Sequence, residues 1–389
     1  MRLVFDFEAT GSQRNKAHPF DKRNRACNVG IKNIDTGEAK IFKLEYDEEP
    51  YGEALSEIKA LIEKATLLIG FNVKYDLHWL NRYGINYDGF VFDAQLAYYI
   101  LTCQKNKYPS LNEVALFCGS PVKLDVVKEE YWDKGLDTDE VPYDILCEYL
   151  AQDLETTESV FYKLSEMLAN SSYEMQKLVK MSNLDLTVLQ DIERNGLLVD
   201  IDKCIKEGDS IAKELEIIDS KFKTMAGHEW FNTNSGEHLS ALLYGGVITH
   251  VEKVPYTFHY KDGRTAEKLR NQEVEYTFKG FFKPLEGSEL EKEGFYSTGQ
   301  PTLVALAEKA KEPYKSILNL LLHRAKIEKR RSTYYHGYPK NIDMYGWTDN
   351  ILHTSYNQCV AETGRLSSTK PNVQNIEDKV KEVFITRFR

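Results

Sequence analysis

Residues 3–9, Leu-Val-Phe-Asp-Phe-Glu-Ala, alternate apolar and acidic side chains with a period of two. Only an extended strand sorts such a pattern into two faces. Phe5 and Phe7 then turn toward a core, while Asp6 and Glu8 project together from the other face. A chain that starts this way must build a sheet and leave two carboxylates on it. Residues 28–46, NVGIKNIDTGEAKIFKLEY, read as two further strands joined at the DTG turn. They follow a polar, basic loop, GSQRNKAHPFDKRNRA. Residues 53–65 have amphipathic helical period, and TLLIGFN at 66–72 reads as a buried strand. Helices are expected at about 74–83, 92–103, 110–117 and 143–169. This order of strands and helices predicts an α/β domain ending near residue 170.

The pattern then changes. Helices are expected at 173–194, stopped by Asn195-Gly196, and at 202–226, stopped by Gly227. Two more are expected at 236–245 and 300–337. The stretch 251–297 is aromatic, charged and strand-like, as if inserted between helices, and 350–389 is a mixed polar segment. At roughly 100–200 residues per domain, 389 residues make two or three domains. An apolar fraction of 42% and a charged fraction of 28% exclude a mainly disordered or collagen-like chain. No run of about 18 apolar residues offers a membrane span. The N-terminus is a strand pattern and not a signal peptide. The six cysteines form no CxxC pair, so they read as reduced, structural and without zinc, in a cytoplasmic protein.

The net charge of −10 is unevenly spread. Residues 1–170 hold 29 acids and 19 bases, and residues 171–389 hold 31 of each. From Lys315 onward there are 13 bases and 7 acids. The front of the chain is acidic, as a site made of carboxylates would be. The end is basic, as a phosphate-contacting surface would be.

Three motifs carry the chemistry. Phe5-Asp6-Phe7-Glu8 puts two carboxylates on one strand face. In Gly70-Phe71-Asn72-Val73-Lys74-Tyr75-Asp76, Asn72 can cap the next helix and Asp76 stands four residues on. In Tyr149-Leu150-Ala151-Gln152-Asp153, Tyr149 and Asp153 share a helix face. Four carboxylates in one cleft repel each other unless hard divalent cations with a preference for oxygen relieve them. Two such ions can activate water and stabilise the leaving oxygen in phosphodiester cleavage, with a tyrosine to orient the water.

In this order and spacing the motifs resemble the DEDD superfamily of 3′–5′ exonucleases, in the variant with tyrosine in the third motif. GFNVKYD and FDAQLAYYIL look like the proofreading domain of family A, DNA polymerase I-like enzymes. The resemblance implies a ribonuclease H-like mixed sheet, metal ligation by Asp6, Glu8, Asp76 and Asp153, and water positioning by Tyr149. It implies two Mg²⁺ or Mn²⁺ ions. Asn72 is carried over as a substrate or supporting contact, and Asp93 reads as structural, at a helix start.

The second half resembles the same family. LQDIERNGLLVD at 189–200 looks like the entry to a polymerase thumb, and Phe231-Asn232-Thr233-Asn234-Ser235 continues it. His353-Thr354-Ser355-Tyr356-Asn357-Gln358, Thr363-Gly364-Arg365-Leu366-Ser367-Ser368 and Pro371-Asn372-Val373-Gln374-Asn375-Ile376 resemble the first palm motif. Glu377 stands where the family usually has proline. The resemblance implies an α-helical thumb at 171–338, with the insertion at about 251–297, and the first part of an α+β palm at 339–389. It implies contact with primer–template DNA by Arg365, Asn372, Gln374 and Asn375. The thumb cluster Lys326, Lys329, Arg330 and Arg331 reads as a DNA-facing surface. The palm strand and fingers helix that carry the family's nucleotidyl-transfer acids would follow residue 389. The expectation is therefore proofreading of single-stranded DNA 3′ ends by the N-terminal part of a split or interrupted phage-type polymerase. A C-terminal fragment would be its partner; the insertion reads first as a decorated loop packed on its own domain, with a processivity factor bound there as the alternative. The rival readings are an RNA-trimming exonuclease and a non-catalytic primer–template clamp. The loop bases Arg14, Lys16, Lys22, Arg23 and Arg25 are expected to draw in the single strand.

Overall fold

The computed structural model describes residues 1–11, 16–122 and 126–387. Five strands form the N-terminal sheet: β1 (Arg2–Ala9), β2 (Ala26–Asn33), β3 (Ala39–Lys43), β4 (Leu67–Gly70) and β5 (Phe90–Asp93), in the order β3-β2-β1-β4-β5. The first three are antiparallel, and β4 and β5 run parallel to β1. The helices around it are α1 (Gly52–Lys64), α2 (Lys74–Arg82), α3 (Ala94–Leu101), α4 (Leu111–Cys118), α5 (Tyr143–Ala169) and α6 (Tyr173–Asn195). The expected α/β class holds. The four-residue β5 is missed by the sequence pattern because its apolar run, Phe90-Val91-Phe92, merges into the helical pattern of FDAQLAYYIL.

β1 does what its alternation requires. Phe5 and Phe7 are buried in the main core. Val4, on the face that also carries Asp6 and Glu8, packs with Ile34, Ile69, Leu154 and Phe161. The α5 helix therefore crosses the acidic face of β1. Two residues of β2 set its height. Gly30 lies opposite Asp6 in the register, and a Cβ there would meet Leu154 Cδ1 at 2.7 Å and Leu150 Cγ at 3.0 Å. Two residues on, Lys32 reaches α5 and pairs with Glu155 and Glu158, each at 2.5 Å. Gly30→Val should lift α5 from the sheet. Overpacking of this kind costs about 1–3 kcal/mol, which a denaturant titration reads directly.

Six cysteines are free, as expected. No helix among the described residues is long and apolar enough to cross a membrane.

The chain divides into two compact units, residues 1–201 with 338–389, and residues 202–337. The packing boundary near 201 differs from the limit at 170 that the sequence pattern predicts, while the one at 337 falls within a residue of the limit at 338. The α6 helix packs with the sheet domain: Asn183 Oδ1 accepts from the Asp93 amide at 2.7 Å, and Val179 and Leu186 join the main core. Residues 339–389 also fold onto the first unit. They contribute two short strand pairings, one within the segment and one to residues 197–198.

The second unit holds α7 (Ile201–Ala226), α8 (Gly236–Tyr244), α9 (Gln300–Lys309) and α10 (Tyr314–Lys329), followed by a π-helical turn at Arg330–Tyr335 and by α11 (Gly337–Met344) at the boundary. The single helix expected over 300–337 is interrupted at 310–313, where Pro313 has no N–H to continue the helical ladder. The FNTNS motif knits this unit together. Thr233 Oγ1 donates to Asp219 at 2.6 Å, Arg324 pairs with Asp219 and Asn234, and Ser235 caps α8. The expected strand-like insertion is a long two-stranded ribbon, β6 (Gly246–His259) with β7 (Thr265–Phe278), starting five residues earlier than its sequence pattern predicts.

Candidate active site

The carboxylates of Asp6, Glu8 and Asp153 offer oxygens that all lie within 4.8 Å of one another. Glu8 and Asp153 are buried and Asp6 is partly so. The cause is the packing just described: β1 presents i and i+2 on one face, and Leu154, packed with Val4, brings the adjoining Asp153 over them. This is the constellation that the strand and helix motifs predict. Tyr149 precedes Asp153 by one turn on α5. Its ring packs edge-on against Trp132 at 5.9 Å, among Cys27, Val127, Val141 and Leu146.

Asp76 stands beside this group without joining its 4.8 Å circle. It is 1% exposed, and its Oδ1 accepts from the Phe7 amide at 3.0 Å. That amide lies between Asp6 and Glu8, so Asp76 holds the strand that carries them. Burial pushes the Asp76 carboxyl well above the usual carboxylate range, and the charges of Asp6, Glu8 and Asp93 push the same way; the Phe7 amide opposes them. An all-oxygen donor set, buried and mutually repelling, fits hard divalent cations.

Asn72 does not cap α2, as its sequence position suggests. It sits in the left-handed region (φ 57°), which asparagine tolerates better than most residues. The cap falls instead to Asp93, whose carboxylate accepts from the amides of Asn72 (3.3 Å), Val73 (2.9 Å) and Leu96 (3.0 Å). The structural reading of Asp93 is thus borne out, and one buried carboxylate organises the starts of both α2 and α3. Burial raises its pKa, with the donated amides working against that rise. The Asn72 side chain is exposed and lines a cavity of about 570 Å³, together with Lys16, Lys74, Tyr75, Gln358 and Lys370. The four carboxylates lie outside this lining.

The loop bases are not equivalent. Arg23 pairs with the fully buried Asp21 and donates to the Met344 carbonyl. Arg25 pairs with Asp139. Both have structural work within the fold, while each side chain stays 44% exposed. Lys16 and Lys22 are exposed, and Arg14 lies outside the described residues. In the second unit, Lys326 and Lys329 are exposed on α10, while Arg330 and Arg331 are half-buried in the π-helical turn. In the C-terminal segment, Arg365, Asn372, Gln374 and Asn375 are all exposed. Asn372 Oδ1 also accepts from Ser368 Oγ (3.1 Å) and from the Gln374 amide (3.0 Å), so it shapes its own loop.

The positioning residues Gly30 and Lys32 escape a reading by motif. Gly30 leaves one signal, a glycine in the interior of a strand, which marks close approach of another element.

Comparison with known proteins agrees with this geometry. Residues 5–169 match the 3'-5' exonuclease family of the DNA polymerase A type, and residues 278–388 match DNA polymerase family A. The DNA polymerase I of Bacillus subtilis (strain 168) is 28% identical over 314 residues, covering 80% of this chain and 30% of that protein. That of Pseudomonas aeruginosa is 25% identical over 334 residues, covering 84% and 31%. The chain thus spans about a third of the length of these relatives. Among solved structures, the POL domain of Pol1 from M. smegmatis, in complex with DNA primer-template and dNTP, shares the fold. Its TM-score is 0.67 at 17% identity, covering 98% of this chain and 54% of that one. An exonuclease-type domain with its carboxylates gathered, followed by a segment of the polymerase type, identifies the chain as a member of the family A DNA polymerases.

Proposed function

We propose that this chain removes nucleotides from the 3′ end of a DNA strand by phosphodiester hydrolysis, the proofreading reaction of a family A polymerase. The observation that carries the reading is the meeting of Asp6 and Glu8 on β1 with Asp153 on α5, with Asp76 beside them at the Phe7 amide. Two Mg²⁺ or Mn²⁺ ions, held by Asp6, Glu8 and Asp153 with Asp76 beside them, would supply the Lewis acidity that water activation and the leaving oxygen need.

The protein's own groups do the rest. Asp76 fixes the strand register at Phe7, and so the spacing of Asp6 and Glu8. Asp93 fixes the turn that presents Asn72 to the neighbouring cavity, where the terminal nucleotides would lie. The Tyr149 hydroxyl, steadied by Trp132, orients the attacking water. Tyr149→Phe should therefore lower the turnover rate by about 10–100-fold. The metal-induced rise in melting temperature should stay, because the carboxylates remain.

The basic residues of the later segments, Lys326, Lys329, Arg330, Arg331 and Arg365 with Asn372, Gln374 and Asn375, would hold primer–template DNA. Nucleotide addition calls for the remaining palm and fingers of the longer relatives, in the same chain or a separate one, as partner to these residues.

The test is degradation of a 5′-labelled single-stranded DNA, with an RNA of the same sequence in parallel. A metal-dependent 3′–5′ ladder on DNA, lost on Asp6→Ala/Glu8→Ala, supports the reading. A ladder on RNA alone replaces it with RNA trimming. Intact substrate, with no metal-induced stabilisation of the folded protein, replaces it with a non-catalytic clamp.

A further inference from the structure

We infer that the tip of the β6–β7 ribbon is a binding platform for single-stranded DNA, separate from the hydrolytic site. The antiparallel register pairs Tyr256 with Lys268, Phe258 with Ala266 and Val254 with Arg270. Directly paired residues and their i+2 neighbours share a face. Tyr256, Phe258 and Tyr260 therefore line up on one side of the ribbon with Arg264, Lys268 and Arg270. The rings form a ladder, Tyr256 to Phe258 at 6.5 Å and Phe258 to Tyr260 at 4.9 Å. Lys268 Nζ lies 3.8 Å from the Phe258 centroid, and Arg270 stands 5.9 Å from that of Tyr256.

Such a face has no core to justify it. Among the described residues, the ribbon's buried packing lies at its base, where Ile248 and Phe278 pack with Ala241, Phe295 and Trp230, and Trp230 stacks on His250 at 4.5 Å. The aromatic ladder lies farther out, beyond that anchor. Cross-strand contacts of these rings and cations help hold the ribbon together, and they leave Tyr260 exposed and Tyr256 and Phe258 half-buried toward its tip.

Charge identifies the occupant. Residues 253–270 carry five bases and two acids in a chain whose net charge is −10. Arg264 is answered by Asp262 at 2.7 Å. Among the described residues, Lys268 and Arg270 have no carboxylate partner. An acidic or purely apolar protein surface would use either the cations or the rings. A single strand uses both at once: its bases stack on aromatic faces, and its phosphates meet the lysine and arginine. A base-paired duplex cannot offer its base faces to the ladder.

The test uses the full chain in EDTA, so that binding is read without cleavage, whatever the fate of the hydrolytic reading. Fluorescence anisotropy with a labelled oligothymidylate and with a hairpin duplex gives the two affinities. Tyr256→Ser/Phe258→Ser/Tyr260→Ser should weaken single-strand binding at least tenfold with little effect on the duplex. Lys268→Gln/Arg270→Gln should reduce the slope of log K against log salt by about 1.4, at roughly 0.7 per phosphate contact on a single strand. Glu267→Gln/Leu269→Ser, on the opposite face, should not weaken binding. Unchanged single-strand affinity and salt slope in the charge variant, shown to be folded by an unchanged melting temperature because both side chains pack on the rings, would overturn the inference. So would a duplex preference lost equally in both face variants.

Discussion

Asp153→Asn should reduce release of 3′-terminal nucleotides by about a thousandfold or more, because it removes one of the three converging carboxylates proposed to hold metal, and each such ligand would control several kcal/mol of transition-state charge stabilisation. The substitution keeps the size of the side chain and leaves the α5 contacts of Leu150 and Leu154 in place. The protein should therefore fold. Without metal it should melt at the same temperature as wild type or above it, since one buried like charge has gone. Mg²⁺ or Mn²⁺ should raise the melting temperature of wild type and do so far less for the variant, because a ligand that binds only the native state stabilises by mass action. Asp76 separates charge from structure. Asp76→Asn retains an oxygen for the Phe7 amide and should lose activity with little loss of stability. Asp76→Ala leaves that buried amide unanswered and should cost about 1–3 kcal/mol as well. A fully active Asp153→Asn enzyme would rule out the site as described.

The parts of this site that were legible in the sequence are those set by local periodicity. Strand alternation places Asp6 beside Glu8, and helical spacing places Tyr149 one turn from Asp153. That the two elements face each other follows from nothing local. It depends on Gly30 and Lys32, on a different strand, which admit and clamp α5. The cap of α2 misled for the same reason. Asn72 has the right residue type at the right offset, yet Asp93, 20 residues past Val73, reaches its amide and Val73's more deeply buried one. The loop bases look alike as a string. Burial of Asp21 is what commits Arg23 to structure, and no pattern of charges reports burial. Compactness likewise diverges from the sequence boundary at residue 170, because α6 continues the helical pattern of the later segment while its buried face belongs to the earlier core.

Glu193→Ala should destabilise the first unit by about 3–5 kcal/mol, the cost of leaving buried partners of a charge unanswered. Glu193 is nearly fully buried on α6, within the segment whose pattern resembles a thumb entry. Its carboxylate takes Lys74 Nζ at 2.6 Å, His78 Nε2 at 2.8 Å and the Tyr356 amide at 2.5 Å. Its carbonyl accepts from His353 Nδ1 at 2.7 Å. One residue thereby ties the exonuclease-type domain to the polymerase-type segment. Around it Phe20 stacks on His353 at 4.3 Å and meets His78 edge-on at 4.6 Å, with His18 against Tyr345 and Trp347. Burial holds all three histidines neutral, lowering His18 to about 3, His353 to about 4 and His78 in the same direction; the positive neighbours Lys74, Lys370, Arg194 and Arg387 add to this and Glu193 opposes it. The unfolded chain takes up these protons below about pH 6.5 and the native protein does not. Stability should then fall as pH drops from 6.5 toward 4, by about 1.4 kcal/mol per pH unit for each histidine. Glu193 adds loss at the acid end. Burial works to raise its pKa, but the His78 hydrogen bond and the Lys74 charge hold it below the usual range. Denaturant titrations across this pH range should show the slope in wild type and a shallower one in His353→Gln. A flat profile would mean that these rings do not bind the two segments together.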